Sequence, residues 1–250
     1  MNEKRQAQLL TTCLMAGRIM IESGSEMYRV EDTMRRIAQN AGVMDSHIFT
    51  TPTGLFMSLP TYDAVQIQQV TSRAINLEKV DRVNALSRQF ADHQITLTAL
   101  SQRLAVLDHD VPYFPLWLQV IAAAVVSCTI MIMFGGHWID FLPSAVVGAA
   151  GYTVFYLVRE QLSVSFLSEF LAAFTIGLLA WIFISLHFGR SLDMIIIGAV
   201  MPLVPGVAIT NAVRDMLAGH LLTGIVRGIE ALFSVSAIGI GIALVFRFFA

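Results

Sequence analysis

The chain has 250 residues, of which 56% are apolar and 14% are charged, and its formal net charge is −2 at pH 7. Soluble domains are about 45–50% apolar, so the composition favours a membrane protein, and the small negative charge argues against a nucleic-acid partner. Residues 1–110 carry 11 of the 16 Lys and Arg residues and 12 of the 18 Asp and Glu residues. The sequence therefore predicts a polar region followed by a membrane region.

Helical periodicity marks the start of the polar region. Apolar residues spaced by three and four predict one helix before Gly24 and a second helix from about Met27 to Ala41. Arg18 and Glu22 form an i,i+4 pair suited to the surface of a soluble helix, which argues against a cleaved signal peptide. A following glycine is expected to end the second helix in a left-handed conformation.

The rest of the polar region alternates strand and helix signals. β-branched and aromatic residues predict two or three antiparallel strands, within residues 45–51, 55–59 and 64–71. Helical spacing returns in residues 77–90 and 97–107. We therefore predict an α+β domain over residues 1–110, with two helices, a small sheet and two further helices.

Residues 111–250 are predicted to form an all-α membrane domain. Five apolar blocks each approach the about 20 residues that cross a bilayer, and they lie at about 116–134, 141–158, 166–187, 193–213 and 222–248. Trp117 and Trp138 fall near predicted span ends, where aromatic belts form. We expect a multi-pass protein of the bacterial inner membrane, in contact with lipid, with residues 1–110 in the cytosol.

The fourth apolar block contains a break. Pro202 and Pro205 each remove a backbone donor and clash with the preceding helical turn, and Gly206 follows directly. A helix that restarts at Gly206 aims backbone N–H groups and a positive dipole end into the protein, which is how transporters often bind an anionic group. A proline kink beside an ordinary juxtamembrane charge pair is an equal alternative.

Polar and charged residues follow the break. Asn211 and Asp215 lie four residues apart on one helical face, with Arg214 beside that face. Charges near or within spans are functional candidates by default. We predict that Pro205-Gly206, Asn211, Arg214 and Asp215 bind substrate and that Asp215 and Glu230 carry protons, because burial raises carboxylate pKa values. An ion pair between Glu230 and the arginine three residues earlier is an equal alternative for that residue.

Two stretches resemble the signature of the threonine/serine exporter family. They are Pro202-Leu203-Val204-Pro205-Gly206 with Asn211, Asp215 and Gly219, and residues 24–32 with Arg73 and Asn76-Leu77. The likeness covers nearly the whole chain, and it implies a cytosolic domain followed by membrane spans that export small polar metabolites. With five predicted spans, the chain resembles the large subunit of the split form, which works with a separate small membrane subunit. Some split members are assigned to succinate export.

The resemblance implies a secondary exporter subunit for a dicarboxylate such as succinate, or for threonine and serine. The chain contains no Walker A loop, so proton or membrane-potential coupling is the default expectation. Asp215 and Glu230 would face lipid unless something covers them, at a cost of at least ~2.5–3.5 kcal/mol for each charge. We expect the small subunit to cover them, with a homo-oligomer as the alternative, and we expect the chain alone to transport nothing.

The polar region leaves a different function open. Arg29, Glu31, Asp32 and Arg73 would form a hydrolytic or ligand-sensing site if the chain were a membrane-anchored enzyme or regulatory sensor without transport of its own. The chain contains no nucleophile–base motif and no phosphate-binding loop, and its histidines lack metal-ligand spacing. We therefore expect no catalytic residue, no metal site and no cofactor, and we interpret these charges first as a solvated helix face.

Overall fold

The structure is a computed structural model that describes residues 2–71, 74–110, 114–162 and 166–249. Contacts divide the chain into two compact units. We call Met1–Tyr113 with Val207–Gly228 the polar unit, and Phe114–Gly206 with Ile229–Ala250 the apolar unit. The assignment of residues 1–110 to the cytosol and of 111–250 to a membrane domain stays a prediction.

The amino-terminal part of the polar unit has the predicted order of elements. Its helices are α1 (Glu3–Glu22), α2 (Met27–Asn40), α3 (Leu77–Ala91) and α4 (Leu97–Asp110). Between α2 and α3 lie three antiparallel strands in the order β1-β2-β3, which are β1 (His47–Thr51), β2 (Gly54–Leu59) and β3 (Ala64–Gln69). The predicted α+β organisation of two helices, a sheet and two helices is therefore confirmed.

Alternation in β2 shows how the sheet packs. Leu55, Met57 and Leu59 are buried, whereas Phe56 between them is exposed, as expected when one face of a strand covers a core. Helix α1 supplies much of that core, and its Gly17 allows a close approach. A Cβ at this glycine would lie 2.5 Å from the Met34 sulfur and 2.9 Å from a methyl group of Leu55.

Glycines in the left-handed conformation end α1 and α2. Gly24 has φ +86°, and the N–H of Ser25 donates to the carbonyl of Met20 at 3.0 Å, which closes the end of α1. Gly42 has φ +92° and follows Ala41, the residue that caps the end of α2, so the predicted glycine stop is confirmed. The hydrogen bond after α1 fixes the conformation of the loop that joins α1 to α2, residues 23–27.

The apolar unit consists of helices. They are α5 (Leu116–Met133), α6 (Phe141–Leu162), α7 (Leu167–Ser185), α8 (Leu192–Val200) and the part of α10 (Leu221–Phe249) from Ile229 onward. Among the described residues, four helical segments are long and apolar enough to cross a membrane: Leu116–Met133, Trp138–Leu162, Leu167–Ser185 and Leu221–Phe249. A fifth is obtained when Leu192–Leu203 and α9 (Gly206–Leu217) count together as one broken span. The prediction of about five spans is therefore met only if α8 and α9 count as one broken span.

Small residues let the helices of the apolar unit pack closely. A Cβ at Gly148 would lie 2.0 Å from the Ser127 hydroxyl oxygen, and one at Gly198 would lie 2.5 Å from the Ser127 carbonyl oxygen. Large side chains such as Trp117 and Leu142 are exposed instead. Small residues inside and large apolar residues outside are the pattern of a helix bundle surrounded by lipid.

The break at the prolines is confirmed. Helix α8 ends in a single tight turn, Met201–Leu203, and Val204 is extended with φ −65° and ψ 126°. The residue before a proline is pushed out of the helical region, which explains why the chain stops before Pro205. The N–H of Gly206 then donates to the carbonyl of Val204 at 2.8 Å, and α9 begins.

Candidate functional site

A cluster of charged side chains surrounds the loop between α1 and α2. All of its members belong to the polar unit. The loop contributes the carbonyls of Gly24 and Ser25, the carboxylate of Glu26 and the N–H of Met27. Helix α9 and the start of α10 contribute side chains that bind these groups or one another: Asn211, Arg214, Asp215 and Arg227. His220, in the turn between these two helices, lies beside Glu31 of α2 instead.

Asp215 lies at the centre of this cluster and is fully buried. One carboxylate oxygen accepts a hydrogen bond from the N–H of Met27 at 2.9 Å, and the other accepts one from Arg227 at 2.7 Å. Met27 is the first residue of α2, whose first turn contains no acidic residue of its own. Asp215 therefore places a negative charge at the amino-terminal end of α2, where the helix dipole favours it.

Arg227 and Asn211 bind the carbonyls of the same loop. Arg227 uses its second guanidinium nitrogen to donate to the carbonyl of Ser25 at 2.9 Å. The Asn211 amide donates to the carbonyl of Gly24 at 2.8 Å. Backbone carbonyls near the end of a helix lack intrahelical partners, so these side chains satisfy groups that a buried loop would otherwise leave without donors.

Glu26 forms a second, more accessible ion-pair centre. It accepts a hydrogen bond from Arg214 at 2.6 Å and pairs with Arg29 at 3.2 Å. The Arg214 side chain is 55% exposed and that of Glu26 is 10% exposed. Burial alone would raise the pKa of Glu26. The hydrogen bond from Arg214, a backbone hydrogen bond and the charges of both arginines outweigh burial and lower it.

His220 links the turn after α9 to α2. Its Nδ1 lies 3.8 Å from a carboxylate oxygen of Glu31, which also accepts a hydrogen bond from the Thr50 hydroxyl at 2.7 Å. The cluster therefore contains three carboxylates and three arginines as well as this histidine. Its formal charge is balanced when the histidine is neutral.

A helical hairpin brings Asp215 and Arg227 together. Gly219 has φ +90°, and the N–H of His220 donates to the carbonyl of Asp215 at 2.8 Å, which ends α9 and turns the chain into α10. Gly224 then lets α10 approach α9. A Cβ at this glycine would lie 2.8 Å from the carbonyl oxygen of Ala212, so a larger residue would push the two helices apart.

The predicted site residues thus fall into different places. The sequence predicts a substrate site with Asn211, Arg214 and Asp215, and a separate polar-region site that includes Arg29 and Glu31. In the structure all five residues belong to the one charged cluster. Asp32 is exposed and pairs with Arg36 of its own helix at 2.8 Å. The remaining predicted residues are Pro205, Gly206, Glu230 and Arg73, of which Arg73 lies outside the described residues.

The helix start at Gly206 is distant from the buried carboxylate. Asp215 is nine positions after Gly206 in α9, which corresponds to about 13 Å along the helix axis. Pro205 is half-buried and Gly206 is exposed. Glu230 is half-buried and belongs to the apolar unit. A role for Pro205, Gly206 and Glu230 in substrate or proton binding therefore stays a prediction.

The expectation that Asp215 faces lipid unless a second subunit covers it is wrong. Its carboxylate is fully buried by the same chain, and Met27 and Arg227 bind it. One part of the α9 surface is buried, and the exposed part carries apolar side chains as well as Arg214. Asn211 and Asp215 are buried, whereas the exposed apolar residues are Val207, Ile209, Val213 and Met216.

Sequence reasoning missed Glu26, His220 and Arg227 as members of the cluster. Glu26 lies within the stretch that resembles the exporter signature, but its partner Arg214 is 188 residues away, so no local pattern indicated the pair. Arg227 stood out as a charge in an apolar segment, which was the available signal. The described residues contain no group of three or more His, Cys, Asp or Glu side chains that could hold a metal ion.

Comparison with known proteins gives a family and two relatives. The model of the threonine/serine exporter family, ThrE, matches residues 11–249. The "Probable threonine/serine exporter" of Mycobacterium tuberculosis is 21% identical over 244 residues, which cover 96% of this chain and 46% of that protein. The "Probable succinate transporter subunit YjjP" of Escherichia coli is 21% identical over 252 residues, which cover 98% of this chain and 96% of that protein. No solved structure matches significantly.

Proposed function

Because this chain belongs to the threonine/serine exporter family, we propose that it is a secondary exporter subunit for small metabolites that carry a carboxylate. The substrate is either a dicarboxylate such as succinate or the pair threonine and serine. The observation that carries the proposal is the extent of the family match, which covers nearly all of both units. The four to five apolar helical segments agree with a multi-pass membrane protein that transports its substrate.

The proposed exporter includes a second, smaller membrane subunit. This chain spans about half the length of the mycobacterial relative but nearly the whole of the Escherichia coli relative, which is named as a subunit. The apolar side chains that α9 exposes offer a surface for lipid or for that subunit. Sites in secondary transporters usually form between two sets of helices that move against each other.

Within this subunit, we assign substrate contact to the accessible part of the charged cluster. Arg214 is half-exposed and already binds the carboxylate of Glu26, so a substrate carboxylate can take the place of Glu26 with the same geometry. A guanidinium suits this role because it can form two parallel hydrogen bonds to a carboxylate. Asn211 and Asp215 position Arg214 by holding α9 against the loop, and Gly206 with Pro205 sets where α9 starts.

The cytosolic placement of the polar unit and the coupling to protons or membrane potential belong to the same proposal. A cluster on the cytosolic side would collect substrate for export. Of the candidate residues that the sequence indicated, we propose Asp215 and Glu230 as the proton carriers. Efflux that continues after both the proton gradient and the membrane potential are collapsed would contradict this coupling.

The test is efflux from cells that express the chain with and without its proposed partner. Succinate, threonine and serine are loaded separately, and Arg214→Ala, Arg214→Lys and the exposed-arginine control Arg247→Ala are compared. A hydrogen bond to a charged group contributes about 1.5–3 kcal/mol, so we expect Arg214→Ala to lower efflux about tenfold or more. Arg214→Lys should recover part of the loss, and Arg247→Ala should have no effect.

Three results would count against the proposal. Normal efflux in Arg214→Ala, at equal amounts of protein in the membrane, would remove Arg214 from the substrate site. Substrate flux in liposomes that contain this chain alone would remove the requirement for a second subunit. Efflux of none of the three substrates by the pair would contradict the substrate class.

A further inference from the structure

Asp140 is a buried carboxylate in the apolar unit. It ends the short turn Trp138–Asp140 before α6 and has no exposed surface. One oxygen accepts hydrogen bonds from the N–H groups of Arg190 at 2.6 Å and Ser191 at 3.3 Å. The other oxygen, Oδ2, is buried and has no hydrogen-bond partner among the described residues.

The partners of Asp140 lie at the start of α8. Ser191 is the residue that caps α8, and its hydroxyl accepts a hydrogen bond from the N–H of Met194. A carboxylate beside a helix start interacts favourably with the helix dipole. The backbone approaches closely here, since a Cβ at Gly189 would lie 3.2 Å from the bound oxygen of Asp140. Asp140 thus fixes the beginning of the helix that leads into the break at Pro205.

The unpartnered oxygen indicates a proton as the ligand. A buried polar atom without a partner is costly when the group is charged, and a proton on Oδ2 removes that charge while the other oxygen keeps its hydrogen bonds. A metal cation would require several oxygen ligands, and the described residues offer no cluster of three metal-binding side chains. The other titratable or charged side chains of the two loops are exposed: His137, His187, Arg190 and Asp193.

We propose that Asp140 is a proton-binding site whose occupancy sets how firmly the start of α8 is held. The proton adds to Oδ2, and the carboxylate becomes a neutral carboxylic acid. The bonds from Arg190 and Ser191 then change from charge-assisted to neutral hydrogen bonds, which are roughly half as strong. Proton uptake therefore loosens the first half of the broken helix, and proton release tightens it.

This site deepens the proposed function, on which its role in transport rests. With the polar unit in the cytosol, α5 crosses outward, so the turn before α6 lies on the external side of the membrane. An exporter driven by the proton gradient would take up its proton from that side. Asp140 then supplies a coupling carboxylate on that side, in addition to the proton carriers Asp215 and Glu230 of the proposed function.

The experiment measures the proton site without measuring transport. The full chain is placed in liposomes, and infrared difference spectra are recorded between acidic and alkaline buffer for the wild type, Asp140→Asn and Asp193→Asn. Asp193 is the matched control because it is an exposed acid in the first turn of α8. We expect a protonated-carboxyl band in the wild type and in Asp193→Asn that Asp140→Asn lacks. Asp140→Glu should keep a protonated-carboxyl band at a shifted frequency. This variant replaces Asp140→Asn in the test if Asp140→Asn does not insert into the membrane.

Hydrogen exchange at the N–H groups of Arg190 and Ser191 tests the second half of the proposal. At one alkaline pH, these amides should exchange faster in Asp140→Asn, which mimics the neutral acid, than in the wild type or Asp193→Asn. Identical infrared spectra in the wild type and Asp140→Asn would overturn the proton site, and unchanged exchange would overturn its hold on α8. A chain that shows both effects but exports no substrate when it is expressed together with the second subunit would contradict the proposed function instead.

Discussion

In the described part of residues 1–110, most large apolar side chains lie inside, whereas in the apolar unit many of them lie outside. The polar unit buries residues such as Leu9, Met20 and Leu100 in one hydrophobic core. The apolar unit buries Ala172 and Ala180 in its own core and exposes many large residues. Water favours the first arrangement through the hydrophobic effect. Lipid removes that driving force and leaves close packing to join the helices.

The two units also treat buried charge differently. In the polar unit, Asp215 is neutralised by an arginine as well as a backbone N–H. In the apolar unit, Asp140 binds backbone N–H groups with one oxygen only. A paired charge holds elements together, whereas a charge with an open oxygen can respond to protons. We therefore expect the loss of Asp215 to cost more stability than the loss of Asp140, and we expect Asp140 to respond more to pH.

The largest effect is expected from Asp215→Ala. Breaking a buried ion pair by removing one partner costs about 3–5 kcal/mol, and this variant also removes the acceptor for the Met27 N–H. Thermal unfolding of the purified protein in detergent measures the loss. The control Asp32→Ala removes an exposed pair within one helix and should cost about 0.5 kcal/mol or less. Equal losses in the two variants would show that the cluster does not hold α9 in place.

A smaller effect is expected from Gly198→Ala in the apolar unit. Its new methyl group would lie 2.5 Å from the Ser127 carbonyl oxygen and 2.6 Å from the Met131 Cβ, so helices must move apart at a cost of about 1–3 kcal/mol. The control is Gly239→Ala in α10, where an added Cβ meets nothing within 4 Å. That control should leave the unfolding temperature unchanged or raise it. A stable Gly198→Ala protein would contradict packing by small residues.

A still smaller effect, about 1 kcal/mol or less, is expected from Arg214→Ala because this ion pair is partly exposed. The pKa of Glu26 is lowered in the folded protein. The ion pair therefore contributes its full stabilisation to the folded state at pH values above the pKa that Glu has in the unfolded chain. That stabilisation disappears as the pH falls through the lower, folded pKa. The difference in stability between wild type and Arg214→Ala should therefore shrink on acidification. A difference that grows in acid would contradict the assignment.

The smallest effect is expected from thiol reagents on Cys13. Burial raises the pKa of this thiol, and the thiolate is the reactive form, so a maleimide should label Cys13 only after the polar unit unfolds. Mass spectrometry of the labelled peptide measures this, with urea-unfolded protein as the positive control. Rapid labelling of the folded protein would show that the core around α1 opens.

The sequence by itself determined the order of helices and strands, the break at Pro205 and the glycine stop after α2. These features depend on neighbours within a few residues, because periodicity, proline sterics and left-handed glycine are local effects. The family was also readable from short stretches. The apolar blocks in the sequence indicated the spans. Composition does not decide whether α8 and α9 form one span.

Only the tertiary structure decided which charges meet. Glu26 and Arg214 are 188 residues apart, and Asp140 is 50 residues from the N–H of Arg190. Side chains at such separations are brought together by the packing of whole helices, which no local pattern encodes. For this reason the sequence suggested two sites where the structure has one cluster, and it predicted that a second subunit covers Asp215, although the protein's own backbone and Arg227 bind it.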